Sequence, residues 1–194
     1  MGDAGLAPQV VDTLFDLAVS SIRAGLEGRR PTRDGDDDGP RLGKSAGVFV
    51  TLHVAGELHG CIGSLTAEDL GRAVPRHAWS AAFRDPRFPP LRPDQLDGLD
   101  IEISVLSPLA PLAVDSWEAL IDALRPGVDG LSIEGAGRRA VFLPVVWKQL
   151  PDAVDFVDHL YRKAGLPTRS WPADMRTWTF TATEYGRVVS PRSR

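Results

Sequence analysis

The stretch Gly47-Val48-Phe49-Val50-Thr51-Leu52-His53-Val54-Ala55-Gly56-Glu57-Leu58-His59-Gly60-Cys61-Ile62-Gly63 decides how the chain reads. Two runs rich in β-branched and apolar residues flank a patch of small ones, the signature of an antiparallel hairpin. Alanine resists the positive φ that a tight two-residue turn wants at both central positions. The expected connection is therefore the three-residue turn Val54-Ala55-Gly56, with Gly56 left-handed. That register sets His53 opposite Glu57, Thr51 opposite His59 and Phe49 opposite Cys61. Side chains alternate along a strand, so His59 and Cys61, two apart, are expected on one face.

Outward from the hairpin, periodicity changes repeatedly. Pro8 to Gly28 places Val11, Leu14, Phe15, Ala18, Ile22 and Leu26 at helical steps, with proline near the first turn and glycine at the end. Thr66 with Asp69 three residues on reads as a capping box opening a helix to Phe83, which Pro75 should kink or restart. Leu99 to Leu106 alternates as a strand, and Trp117 to Leu124 reads as a short helix capped by Asp115 or Ser116. A second hairpin turns around Gly135-Ala136-Gly137, and Asp152 to Ala164 is amphipathic with Gly165 as its C-cap. Thr177 to Glu184 alternates as the last strand, and residues from about 186 to 194 read as a mobile tail. Hairpins and separated strands, without regular strand–helix alternation, predict an α+β fold: a mostly antiparallel sheet flanked by helices.

The 194 residues carry a net charge of −4, with no basic block before the short Arg187 to Arg194 tail, which argues against nucleic acid as a partner. One cysteine excludes an intramolecular disulfide and any multi-cysteine metal cluster. Met1 to Ala7 lacks the basic and apolar regions of a signal peptide, and no apolar run reaches membrane-spanning length. A cytoplasmic protein, not bound to membrane, is expected. Asp34-Gly35-Asp36-Asp37-Asp38-Gly39 resembles half a calcium loop, but Ser45 stands where the bidentate acid belongs, so it reads as a solvated acidic loop. His53, His59, His77 and His159 lack the paired spacings of zinc motifs, and no dinucleotide or phosphate fingerprint occurs, so neither metal nor cofactor is expected.

Two segments carry candidate chemistry. A histidine beside Cys61 could draw off the thiol proton and leave a nucleophilic thiolate, making Cys61 and His59 the candidate catalytic pair. A cysteine buried in an apolar wall is inert, and that reading stands beside the first. Gly60 and Gly63 lack side chains and admit a close approach by another backbone or a ligand. The second segment, Ala81-Ala82-Phe83-Arg84-Asp85-Pro86-Arg87-Phe88-Pro89-Pro90-Leu91, ends a helix in a proline-locked loop. Arg84, Asp85 and Arg87 held rigidly there suit an anion or substrate, because pre-organised groups bind at lower entropic cost. Equally, they suit an Arg–Asp pair that braces the loop.

These motifs, together with Phe142-Leu143-Pro144-Val145 and Lys163-Ala164-Gly165-Leu166, occur in an order that resembles the AMMECR family over nearly the whole chain. The resemblance implies a single AMMECR-type domain over residues 1–194, with a larger and a smaller α+β subdomain and a cleft between them. It adds Lys163 to the candidate binding residues. Members typically carry arginine where this chain has His59, a residue that could stabilise a thiolate but could not act as its base. Prokaryotic relatives are known alongside Memo-like and radical-SAM proteins, so the resemblance implies those as partners in a modification system. The expected function is a ligand- or partner-binding cleft around Cys61 and Arg84; the alternative is a cysteine-dependent enzyme with His59 as base.

Overall fold

The computed structural model describes residues 5–29 and 40–190. In chain order its elements are α1 (Pro8–Leu26), β1 (Ser45–Val54), β2 (Glu57–Asp69), α2 (Leu70–Phe83), β3 (Asp100–Leu106), β4 (Ala110–Pro111) and α3 (Trp117–Ala123). β5 (Gly130–Gly135), β6 (Arg138–Phe142), α4 (Ala153–Ala164), β7 (Arg176–Phe180) and β8 (Ala182–Val188) follow. The fold is α+β, with two antiparallel sheets flanked by helices. The chain divides into two compact units, one from residues 1–106 and 183–194, the other from residues 107–182. The acidic run at 34–39 lies outside the described residues.

In the first unit the strand order is β2-β1-β3-β8, which leaves β2 on an edge. Val48, Val50, Leu52, Ile101 and Ile103 cover one sheet face, and α1 and α2 lie in the same core cluster through Leu14, Phe15, Ile22, Val74 and Ala78. Each such side chain removed from water contributes on the order of 1.5–3 kcal/mol. In the second unit the order is β4-β7-β5-β6. There α3 and α4 bury Trp117, Leu120, Phe156, Val157, Leu160 and Tyr161 with Leu131 and Ile133. Trp147 stacks on Phe156 with ring centroids 3.8 Å apart.

The first hairpin departs from the expected register. Val54 pairs with Glu57, so the turn has two residues, and Ala55 takes φ 52° ahead of Gly56 at 83°. The second hairpin repeats the solution, with Ala136 at 51° and Gly137 at 69° between paired Gly135 and Arg138. The twist of paired strands favours this turn type strongly enough to hold one alanine left-handed. Register then passes from His53–Leu58 to Leu52–Gly60, a bulge that leaves His59 as the extra residue and sets Thr51 opposite Cys61.

Three further expectations are corrected. The capping box at Thr66 is absent because β2 continues to Asp69, whose side chain accepts from the Gly71 N–H and is the true N-cap. α2 nevertheless runs from Leu70 to Phe83 with Pro75 inside it, so the proline does not restart the helix. The strand expected over Thr177 to Glu184 is two strands in different sheets, broken at Thr181, whose N–H and C=O are taken up by the Ser107 hydroxyl and N–H. Of the expected tail, residues 186–188 belong to β8, and Val189 is buried with its N–H donating to the Leu99 carbonyl at 2.8 Å.

Gly60 is fixed by packing. A Cβ there would lie 2.1 Å from the Ala81 carbonyl oxygen of α2, a backbone atom that cannot swing away. Gly60→Ala should therefore lower the unfolding free energy in urea by roughly 1–3 kcal/mol. A second check comes from His77 of α2, which burial, with Arg76 adding to it and Glu68 opposing, pushes from 6.5 to about 4. A depressed histidine stays neutral in the fold while the unfolded chain takes up the proton, so stability is full above pH 6.5 and falls toward pH 4. His77→Gln should flatten that limb by roughly 2–3 kcal/mol in denaturant titrations at stepped pH.

Candidate functional site

The site is built on the outer edge of β2. Cys61 is half-buried, and the Thr51 hydroxyl donates to its Sγ at 3.3 Å across the hairpin. On an edge strand some N–H and C=O groups have no ladder partner and must find one elsewhere. Here the loop after α2 supplies it. The Cys61 N–H donates to Asp85 Oδ2 at 2.9 Å, and the Cys61 carbonyl accepts from Arg87 Nη2 at 3.3 Å. The Asp85–Arg87 pair thus stands where a neighbouring strand would.

Asp85 is almost wholly engaged. Its Oδ1 accepts from the Arg87 N–H at 3.1 Å and from Nε at 2.9 Å, while Oδ2 accepts from Nη2 at 2.6 Å. The side chain of Asp85 is 2% exposed and that of Arg87 is 55% exposed. The Arg87 guanidinium holds the Asp85 carboxyl far below the usual carboxylate range against the opposing effect of burial, and the Cys61 and Arg87 N–H groups assist. Arg87 is raised in turn, first by its bond to Asp85, against some burial, and further by the charge of Asp85 and then of Cys61. It also lies over the Phe88 ring at 5.3 Å.

The remaining sequence-predicted residues fall as follows. His59 is buried at 7% exposure, its ring stacked on Phe88 at 6.2 Å, with Nε2 lacking a hydrogen-bond partner. Burial first, then the Arg92 charge, lowers its proton affinity against a smaller pull from Asp85. The bulge interrupts the alternation that would have set His59 and Cys61 on one face: one packs on the α2–β3 loop, the other faces Thr51. Arg84 extends over Trp79 at 5.7 Å, and Trp79 packs at Gly25 of α1. Asp85 and Arg87 therefore reach Cys61, while the contact Arg84 makes is elsewhere. Gly60 and Gly63 admit backbone and ring, namely Ala81 for the first and Val48 with Phe49 for the second. Lys163 lies in the second unit, donating to the Val141 carbonyl at 2.9 Å with the Phe142 ring 5.1 Å away.

Thr51 is the residue that sequence reasoning missed. The signal was Gly60, since a glycine inside a strand marks a bulge, and a bulge there brings Thr51 opposite Cys61. Among the described residues no three histidine, cysteine or acidic side chains gather to hold a metal. No helix among them is long and apolar enough to cross a membrane.

The AMMECR1 family model matches residues 15–185, from α1 through β8. The chain belongs to the AMMECR1 family. A Methanothermobacter thermautotrophicus protein is 41% identical over 157 residues, 80% of this chain and 82% of that one. A Thermotoga maritima protein is 36% identical, over 73% of this chain and 78% of its own. The crystal structure of an uncharacterized protein from Pyrococcus horikoshii superposes with a TM-score of 0.77 at 32% identity, covering 89% of both chains. The two proteins thus share the fold.

Asp85→Asn keeps the shape and removes the charge. It should cost roughly 1–3 kcal/mol, because the buried charge-assisted bonds to Arg87 and Cys61 weaken together. A depressed carboxyl contributes stability that is present above about pH 4 and lost as pH falls further. Acid unfolding followed by circular dichroism should therefore show a shallower loss below pH 4 in the variant than in the parent.

Proposed function

We propose that this AMMECR1-family chain is a cytoplasmic binding module whose working surface lies on the first unit around Cys61, Asp85 and Arg87. It acts with Memo-like and radical-SAM proteins in a modification system, as the family resemblance suggests. One observation carries the reading: Arg87 is bonded through both Nε and Nη2, yet more than half of its side chain meets solvent. A guanidinium oriented from behind and open in front loses little freedom when an anionic group of a ligand or partner docks on it. Arg84 contributes its exposed charge at the other end of the same loop.

A nucleophilic role for Cys61 is the second reading, favoured by its partly open thiol and by the Thr51 hydroxyl that donates to Sγ at 3.3 Å. A thiolate there would be stabilised by Arg87, with Thr51 as a hydrogen-bond donor. This reading calls for His59 as the base, and its ring would have to leave Phe88 to reach the thiol.

Because the chain has one cysteine, alkylation reports a single thiol. The binding reading expects a midpoint near the ordinary thiol value of about 8.5, unchanged in His59→Gln. A midpoint well below that, displaced in His59→Gln, would replace it with the enzymatic one. A photo-crosslinker attached at Cys61 should capture the Memo-like protein, and Arg87→Glu should abolish the capture while preserving the circular dichroism spectrum. Equal capture by the variant would remove Arg87 from the docking surface.

A further inference from the structure

The open side of β6 differs from that of β2. β2 is closed at Cys61 by a bonded carboxylate and guanidinium, whereas β6, at the end of the order β4-β7-β5-β6, meets a single lysine. Lys163 Nζ reaches the Val141 carbonyl, so the peptide groups of Val141 point away from β5. Along an antiparallel pair, residues that turn outward alternate with residues bonded to the neighbouring strand. Arg139, two residues before Val141 and paired with Glu134, therefore also turns its N–H and C=O outward. Among the described residues nothing bonds to the Arg139 peptide groups or to the Val141 N–H.

Cations flank this edge on both sides of the sheet. Phe142 packs on Phe156 of α4, so by alternation Arg138 lies on the helix side and Arg139 on the outer side. Arg138 Nη1 occupies the space where a Cβ of Gly165 would stand, beside the last turn of α4 that carries Lys163. Arg138, Arg139 and Lys163 are all exposed. The acids beside the edge are already engaged. Glu134, opposite Arg139, is bonded to Arg176 at 2.6 Å, and both Asp174 oxygens accept the Ala136 N–H at the hairpin turn. Asp158, one turn before Arg162 on α4, offsets that arginine. Arg138 and Arg139 have no ion pair among the described residues. The edge thus carries excess positive charge on a chain whose net charge is −4. Like charges set against each other repel a second copy of the same edge, and open peptide groups match an extended polypeptide better than a nucleic-acid backbone.

We propose that the β6 edge is a docking site for an extended acidic segment of a partner protein, which adds a strand to the second sheet. The main chain of that segment bonds the Arg139 N–H and C=O and the Val141 N–H. Its carboxylates meet Arg139 on the outer side and Arg138 and Lys163 on the helix side. Lys163 exchanges the Val141 carbonyl for a carboxylate, which opens that carbonyl to the incoming strand. The lysine therefore covers the edge until an acidic segment arrives, and a neutral strand gives it no reason to leave. The proposal does not involve the Cys61 surface and survives the loss of that reading.

The test titrates the full chain with a capped peptide of alternating glutamate and valine and, separately, with an oligouridylate of equal charge, at constant ionic strength. The peptide should bind saturably and slow hydrogen exchange at the Arg139 and Val141 amides by roughly tenfold or more. The oligouridylate should bind more weakly and leave both amides unprotected. Arg138→Gln combined with Arg139→Gln should weaken peptide binding by roughly tenfold, the loss of two partly exposed charge pairs, with the melting temperature unchanged. Absence of saturable peptide binding, unprotected amides at saturation, equal affinity in the double variant, or oligouridylate binding as tight as the peptide would each overturn the proposal.

Discussion

The Asp85 carboxylate, with almost no surface of its own, accepts four hydrogen bonds that tie β2 to the loop after α2. It takes the Cys61 N–H from β2, and the backbone and guanidinium of Arg87 from the loop after α2. An edge strand is held on one side only and is free to pair with another chain unless something occupies the other side. Asp85 and Arg87 occupy it with side chains at the one position where the cysteine lies. The position of Cys61, the direction of Arg87 and the path of the loop therefore follow from one carboxylate.

That carboxylate can reach the strand only because α2 comes close enough. Gly60 has no Cβ to hold off the Ala81 carbonyl, so the last turn of the helix settles directly on the strand it follows. Arg84 then caps the helix, and the next residue is already at the strand edge. Beyond it the Leu91 N–H returns to the Ala82 carbonyl at 2.8 Å, closing the loop on itself. Glycine, helix end and carboxylate form a sequence of dependences: a side chain at residue 60 would lift α2 and break the bonds at residue 85.

This sequence of dependences explains what the residues alone could show. Helices α1 and α4 were legible because their apolar steps, entry residues and the Gly165 cap agree with one another. The hairpin was legible as a hairpin, while its turn was not, because the strain of one left-handed alanine is local and the strand twist that outweighs it is collective. The bulge at His59 depends on Ala81, twenty-two residues later, and no local pattern encodes that contact. The single strand expected across Thr181 failed for a related reason. Its alternation is continuous in sequence, yet Ser107, over seventy residues earlier, takes both of its backbone groups at the break. The candidate residues were named as a set, and what stayed hidden was which of them touch.

The second unit solves its own edge problem in the same way. β6 ends the order β4-β7-β5-β6, and Lys163 from α4 donates to the Val141 carbonyl on that strand. In both units a charged side chain from a neighbouring helix or loop takes up a peptide group of an edge strand, and in both that side chain lies in a motif that carries the family resemblance. A charge in such a motif thus has a structural reason to be there before any functional one is invoked. Asp85 is accounted for almost entirely by bracing, with 2% of its side chain open, whereas Arg87 braces with one edge and leaves 55% exposed. Only the exposed part of Arg87 is left over once folding is explained. Function on this surface is therefore to be sought in the front of the guanidinium and the thiol beside it, and a change at Asp85 that abolished activity would say more about the strand edge than about chemistry.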